Sequence, residues 1–243
     1  MTNTHKHQEN TQQQIDIPVT INREAVAQSF KAERTRPMML KYMDEIIPMA
    51  QKAVSVKALY RVVCVTDRGD DWVEIENVRF NSKVLTKNLE KVDTVFISLM
   101  TSGTELDNLP VSSKDIMKYL CLEAIKTNVL FQAGEYMINF IKNKFSLPDV
   151  THLHPGEFAD LGIEQQIPLY SLFDDAEKAI GVKLTPNKTL SPLKSASSIM
   201  FYNGPSFQSC ELCLQANCAG RRAAFNPRLA EKFGLKTKNK ETA

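Results

Sequence analysis

The chain has 243 residues, of which 43% are hydrophobic, enough to build one large domain or two small ones. Its 30 basic and 28 acidic residues leave a net charge of +2, which gives no electrostatic footprint for nucleic acid. No stretch approaches the ~18 apolar residues that a membrane helix requires. We therefore expect neither a nucleic-acid nor a membrane partner.

The first segment of the chain is polar. Residues 1–14 are rich in Gln, Thr and Asn and lack the apolar core of a signal peptide. We predict a disordered leader over residues 1–17, because these residues have little to bury. The missing secretory signal and the odd number of cysteines, five, predict a cytoplasmic chain with free thiols.

Helical patterns come next and then give way to a hairpin pattern. Asn22 suits the N-cap of a short helix, and apolar residues at helical spacing predict a second helix over about 37–53. Strand-like alternation occurs over 57–66 and again over 72–78. The polar turn at 67–71 joins the two runs, so they predict a β-hairpin.

Helices and strands remain mixed through the rest of the chain. The longest helical pattern, residues 114–144, places Cys121 on its apolar side, so this thiol is expected in the core. The other predicted elements are short helices over 82–89 and 163–173, and strands over 94–100, 182–184 and 197–202. Because the two kinds of element do not alternate strictly, the pattern favours an α+β fold over a doubly wound sheet.

Three of the five cysteines, Cys210, Cys213 and Cys218, fall within nine residues. Thiolates this close together suit a soft metal centre, so we expect them to hold one metal centre, with an iron–sulfur cluster favoured over zinc. A redox disulfide and thiols without any chemistry are the alternatives. Three ligands do not complete a tetrahedral site, so a fourth ligand must come from elsewhere or the site is open.

The residues around this motif suggest how the site would be completed. Cys64, His152 and His154 are candidates for the fourth ligand. Arg221 follows the motif closely, so it either donates hydrogen bonds to cluster sulfurs or is a solvated charge beside Arg222.

Four stretches, in this order along the chain, carry a family resemblance. They are residues 58–65 (ALYRVVCV), 96–107 (FISLMTSGTELD), 154–156 (HPG) followed by 163–166 (IEQQ), and 184–198 (LTPNKTLSPLKSASS). Together they resemble the reactivation domain of cobalamin-dependent methionine synthase in its stand-alone form. The resemblance covers about residues 17–222, and the Cys-x2-Cys-x4-Cys-x2-Arg ending is similar to that of many stand-alone members.

The resemblance implies a fold and an activity. It implies an α+β domain with a bent antiparallel β-sheet flanked by helices over residues 18–205, followed by a Cys-rich motif and basic tail over 206–243. It also implies that the domain binds S-adenosylmethionine and passes the methyl group to a cobalamin that has become inert cob(II)alamin. One electron from a donor such as flavodoxin or ferredoxin would support this transfer.

The cobalamin is expected on another protein. The chain lacks the Asp-x-His-x-x-Gly pattern of cobalamin-binding proteins. The partner would then be a corrinoid-dependent methyltransferase, with methionine synthase as the leading candidate.

Two segments are expected to hold S-adenosylmethionine. The bend at 152–157 offers backbone groups and a carboxylate to the cationic sulfonium, and the turn at 191–198 offers hydroxyls and an ammonium to the ligand carboxylate. The residues implicated are His152, His154, Pro155, Gly156, Glu157, Ser191, Lys194, Ser195 and Ser198.

Two positions in the first segment depart from the family pattern. His152 stands where the family has an arginine, and Glu157 stands where it has a tyrosine. A histidine is only partly charged at neutral pH and cannot grip a carboxylate in the bidentate way of a guanidinium. We therefore expect weaker binding than in the family, or a different ligand.

Two other functions stay open from the sequence. The cysteine cluster could hold an iron–sulfur centre that donates electrons to a corrinoid protein. Alternatively, a structural zinc could fasten the C-terminal tail of a non-catalytic interaction module.

Overall fold

The computed structural model describes residues 11–30, 34–204, 206–215, 217 and 221–235. Within these ranges the α-helices are α1 (Arg23–Ala27), α2 (Arg36–Ala53), α3 (Lys83–Asn88), α4 (Ile116–Lys144), α5 (Gln166–Ser171), α6 (Ala176–Ile180) and α7 (Pro227–Lys232). The strands are β1 (Gln13–Ile17), β2 (Val56–Arg68), β3 (Trp72–Ile75), β4 (Val78–Asn81), β5 (Thr94–Thr101), β6 (Thr151–Leu153), β7 (Lys183–Leu184), β8 (Leu190–Ser191) and β9 (Ser195–Phe201). Single 3-10 turns span Ile163–Gln165 and Ser209–Leu212.

One antiparallel sheet organises the domain. Its strand order is β4-β3-β2-β5-β9-β6, and β1 pairs with the first part of β2. The β2–β3 pairing shifts register between Val65 and Asp67, after β2 has finished pairing with β5. Irregularities of this kind bend a strand and increase its twist, so the sheet curls along β2. The bent antiparallel sheet predicted for this chain is therefore confirmed.

Both faces of the sheet are covered by helices. Alternate residues of β2 enter different cores: Leu59 and Val63 point into one, and Ala58 and Tyr60 into the other. Helices α3, α5, α6 and α7 contribute to the first core, and α1, α2 and α4 to the second. The helices thus flank the sheet, as expected of this α+β fold. None of the helices in the described ranges is long and apolar enough to cross a membrane.

The helix cap and the hairpin turn predicted from the sequence agree with the structure. The side chain of Asn22 accepts the N–H of Ala25 at 2.9 Å, and the predicted α1 cap is confirmed. The predicted hairpin is also confirmed, but its second run is two strands. Glu76 and Asn77 have φ values of 51° and 62°, so the chain turns between β3 and β4.

One prediction about the first part of the domain is wrong. Gln13–Ile17, predicted as part of the disordered leader, form β1, because β2 offers free backbone groups for pairing and Ile17 is buried. Residues 1–10 lie outside the described residues. Cys64, a candidate for the fourth metal ligand, is exposed. It lies opposite Thr94, which is also exposed, at the end of the β2–β5 pairing.

Described residues after 205 pack against the first core. Leu212, Ala230 and Phe233 are buried there. The backbone N–H of Asn226 donates to the carbonyl of Glu211 at 2.8 Å, which joins α7 to the preceding 3-10 turn. The basic tail from residue 236 onward lies outside the described residues.

Candidate functional site

A cavity of about 380 Å³ opens between α4 and the sheet edge formed by β9 and β6. Its volume falls within the range of small-molecule sites, and its walls combine apolar side chains with a few polar groups. We refer to it as the α4–β9 cavity. Its walls draw on α4, the four strands β5, β6, β8 and β9, the bend after β6, the start of α5 with the 3-10 turn before it, and Arg222.

A glycine keeps the helical wall of the cavity open. Gly134 lies in the middle of α4, and a Cβ added there would meet nothing within 4 Å. Glycine in a helix interior costs ~1 kcal/mol relative to alanine, so this position gives up helix stability for space. Leu130, Phe131 and Ile138 line the same wall, and Glu135 adds a carboxylate.

Two histidines form part of the opposite wall. His152 pairs with Met200 across β6 and β9, and its ring centroid lies 5.4 Å from that of His154. The Nδ1 of His154 donates to the carbonyl oxygen of Ser197 at 2.7 Å, since a carbonyl can only accept. Burial, together with the charges of His154 and Arg222, lowers the pKa of His152 to about 4. His152 is therefore neutral at pH 7.

The bend after His154 is held by its own backbone. The N–H of Gly156 donates to the carbonyl of Leu161 at 2.8 Å, and Gly156 has a φ of +89°. A Cβ there would lie 3.2 Å from the Cδ1 of Ile163, so the turn itself requires glycine. The Oε2 of Glu157 accepts the N–H of His154 at 3.3 Å, and Glu157 lines the cavity.

Two polar atoms on the cavity wall have no hydrogen-bond partner among the described residues. They are the Nε2 of Gln166 and the Oγ of Ser195. Gln166 is only 4% exposed, and its Oε1 accepts the hydroxyl of Ser197 at 2.9 Å, which fixes the amide. Buried polar groups are normally paired, so these two atoms can offer hydrogen bonds to a ligand.

Most of the residues expected to hold S-adenosylmethionine line this cavity. They are His152, His154, Pro155, Glu157, Ser195 and Ser198. Gly156, Ser191 and Lys194 are not among the lining residues. Ser191 pairs with Lys183 in the β7–β8 ribbon, and the Nζ of Lys194 lies 3.5 Å from a carboxylate oxygen of Glu123. The ammonium expected to hold the ligand carboxylate is thus engaged elsewhere.

The arginine after the cysteine motif organises the chain around it. The Nη1 of Arg221 donates to the carbonyls of Cys210 at 3.1 Å and Ala223 at 2.9 Å. Its Nη2 donates to the carbonyls of Cys213 and Gln215, each at 2.8 Å. Arg221 is therefore not a solvated charge. Among the described residues its donors bind backbone carbonyls in and beside the cysteine motif.

The predicted metal centre finds no support in the described residues. Cys210 and Cys213 are free and partly exposed. No group of three or more His, Cys, Asp or Glu side chains comes together to hold a metal in the ranges that the structure describes. Cys218 lies outside those ranges. We refer to residues 206–222 as the Cys-rich segment.

Some of the lining residues were not predicted. Arg222, Gly134 and Gln166 line the cavity, although the sequence had not assigned them to the site. Gly134 could have been predicted, because a glycine inside a helical pattern often has a packing or functional reason. Nothing in the pattern around Arg222 indicated that this part of the chain returns to the sheet edge.

Comparison with known proteins supports the fold. No family model and no curated protein matches the chain. Among solved structures it is similar to the MetH reactivation domain bound to AdoHcy (S-adenosylhomocysteine), with a TM-score of 0.60 and 13% sequence identity. The match covers 93% of this chain and 86% of that one. At this identity the likeness concerns the fold, and the chain has the reactivation-domain-like fold that the four stretches implied.

Proposed function

We propose that this chain binds S-adenosylmethionine in the α4–β9 cavity and supports reductive remethylation of a cobalamin on a separate corrinoid-dependent methyltransferase. Methionine synthase is the partner that the resemblance implies. The cavity carries the proposal, because residues 152–157 and 195–198 meet there, and both belong to the segments expected to hold the ligand. The solved domain of similar fold is bound to AdoHcy, which is S-adenosylmethionine without its methyl group.

The cavity walls suit the parts of this ligand. Apolar side chains such as Phe131 offer a surface for the adenosine, and the free donors of Gln166 and Ser195 can bind its polar atoms. The carboxylates of Glu135 and Glu157 favour a cationic sulfonium or amine. These features together support a sulfonium nucleoside as the ligand.

The proposed reaction consumes one electron and one methyl group. A donor of the flavodoxin or ferredoxin class reduces Co(II) to Co(I), and the electron pair of Co(I) attacks the methyl carbon. The S–CH₃ bond breaks with its electron pair left on sulfur, the Co–C bond forms, and AdoHcy is the second product. The role of this chain is to hold and orient the methyl donor, while the cobalt performs the chemistry.

The mouth of the cavity offers a surface for the corrinoid protein. Leu193, Phe131 and Ile163 all line the cavity, and they are 75%, 50% and 37% exposed. Single exposed apolar residues are common, but three around one opening favour an interaction surface. We propose that the corrinoid protein docks there and brings its cobalt to the methyl group.

A two-part experiment tests this function. Calorimetric titration of the chain with S-adenosylmethionine should show one site. A corrinoid methyltransferase held as cob(II)alamin, with reduced flavodoxin and S-adenosylmethionine, should then regain the methylcobalamin spectrum faster when the chain is added. Leu193→Asp should slow this recovery by a larger factor than it weakens ligand binding. No heat at millimolar ligand, or equal recovery without the chain, would refute the proposal.

No specific observation favours either of the two alternative functions. Electron donation by an iron–sulfur cluster and a zinc-fastened interaction module both require a metal site. The described residues assemble no such group of ligands.

A further inference from the structure

The α4–β9 cavity has an uneven set of charges. Glu135 and Glu157 place two carboxylates in its walls, and Arg222 is the one lysine or arginine among its described lining residues. An amino-acid group carries a cationic amine and an anionic carboxylate. The two acids suit the amine or a sulfonium, which leaves the ligand carboxylate with Arg222 as its fixed cationic partner.

We propose that Arg222 binds the α-carboxylate of the nucleoside ligand, and that Arg221 is a positioning residue that holds Arg222 at the cavity. This inference rests on the proposed function and identifies the part of the site that selects an amino-acid-bearing nucleoside. It gives the Cys-rich segment a role in ligand recognition that does not depend on a metal.

The guanidinium of Arg222 is available for such a contact. It makes no hydrogen bond or ion pair with any other residue that the structure describes, and the side chain is exposed at the cavity. Lys194 is close to Glu123 instead. A guanidinium presents a rigid fork of donors that matches a carboxylate in a bidentate way. Arg222 also lies near the inner wall, because its charge acts on His152.

Arg221 fixes the backbone from which Arg222 extends. Its four hydrogen bonds tie Arg221 to carbonyls on both sides, from Cys210 to Ala223. Beyond them, Asn226 binds Glu211 through its backbone and through its side chain at 3.2 Å. The described part of the segment is therefore held by the guanidinium of Arg221, while the neighbouring Arg222 lines the cavity.

Paired ligands test the inference. AdoHcy carries the amino-acid group, and 5′-methylthioadenosine has the same adenosine and thioether without it. We expect Arg222→Ala to weaken AdoHcy binding by about 10–100-fold, the usual effect of losing a charge-assisted hydrogen-bonded contact, and 5′-methylthioadenosine binding by less than about 3-fold. Arg222→Lys should keep part of the preference. Arg228→Ala, an exposed arginine of α7 outside the cavity lining, is the matched control and should change neither affinity.

A second variant tests the positioning role. A lysine in place of Arg221 has one nitrogen and cannot reach four carbonyls in the same geometry. Arg221→Lys should therefore reduce the preference for AdoHcy over 5′-methylthioadenosine by about 3–10-fold. A residue that only stabilised the fold would lower both affinities together.

The outcomes separate the two proposals. If the wild-type chain binds neither nucleoside, the proposed function fails and this inference fails with it. If the wild-type chain binds AdoHcy and Arg222→Ala leaves the ratio of the two affinities unchanged, only the role of Arg222 is overturned. If Arg221→Lys leaves that ratio unchanged while Arg222→Ala lowers it, the positioning role of Arg221 alone is overturned.

Discussion

The α4–β9 cavity and the Cys-rich segment are stabilised in different ways. The cavity walls stand on α4 and β9, whose backbones are satisfied within regular structure and whose other faces are packed in the cores. The described part of the Cys-rich segment has a single 3-10 turn and three carbonyls bound by Arg221, which also binds the carbonyl of Ala223 just beyond it. The cavity walls should therefore be sensitive to changes in side-chain volume. The Cys-rich segment should be sensitive to the loss of the single side chain of Arg221.

Filling the open wall should give the largest effect. Gly134→Leu places a side chain into the space that the ligand is proposed to occupy, and we expect AdoHcy affinity to fall by more than about 1,000-fold, or about 4 kcal/mol. Calorimetry measures the affinity. Gly134→Ala is the control: it should raise stability by up to about 1 kcal/mol, because alanine favours the helix and meets no neighbour. Unchanged affinity in Gly134→Leu, with a native thermal transition, would move the ligand site elsewhere.

The buried histidine predicts a pH effect on stability. The pKa of His152 falls to about 4 in the folded chain from an ordinary 6.5, so below pH 6.5 the unfolded state binds a proton that the folded state excludes. The free energy of unfolding should therefore drop by about 3 kcal/mol from this group as the pH falls from 6.5 to 4. Urea unfolding at pH 7, 5.5 and 4 checks this, and His152→Gln should lose less stability over the same range. Equal losses in both proteins would contradict a neutral, buried His152.

Removing the guanidinium of Arg221 should destabilise the Cys-rich segment and leave the sheet unchanged. Arg221→Ala leaves the four carbonyls that Arg221 binds without that donor. We therefore expect the free energy of local opening of the segment to fall by about 2 kcal/mol. Hydrogen exchange should show faster exchange in residues 208–215, with β5 and β9 unchanged. If exchange slowed or stayed constant there, the segment would depend on other contacts.

Changing the thiols should have the smallest effect. Serine at Cys210 and Cys213 preserves both backbone carbonyls that Arg221 binds, so the double variant should lose less than about 1 kcal/mol of stability. Denaturant unfolding and metal analysis of the purified chain measure this together. A loss of several kcal/mol, accompanied by one equivalent of iron or zinc in the wild-type chain, would restore the metal centre as the fastener of the segment.

Periodic and capping signals allowed much of the fold to be predicted. The helical spacing over α2 and α4, the cap at Asn22 and the alternation in β2 and β3 are local properties, and the structure bears them out. β1 and β6 were missed because short edge strands are formed by pairing with distant partners, as Gln13 does with Tyr60. Their own sequences carry little β-strand signal.

The site could be predicted only where a local bend defines it. The bend at 152–157 and the turn at 191–198 were predicted, and residues from the bend and from the second half of the turn line the cavity. Lys194 was assigned to the ligand because the sequence does not reveal its actual partner. That partner, Glu123 on α4, is distant in sequence and comes close only in the folded chain. Arg222 was overlooked for the same reason, since only the folding of the Cys-rich segment onto the domain brings it to the cavity. Long-range packing decided both outcomes.

The most direct test is a hydrogen-exchange footprint of S-adenosylmethionine on the full chain, recorded at a ligand concentration that calorimetry shows to be saturating. We predict that the ligand slows exchange in residues 130–138, 152–157 and 195–198, which all contribute to the cavity lining, and leaves β3 and β4 unchanged. Binding without protection of these segments, or protection confined to another surface, would contradict the assignment of the α4–β9 cavity as the ligand site.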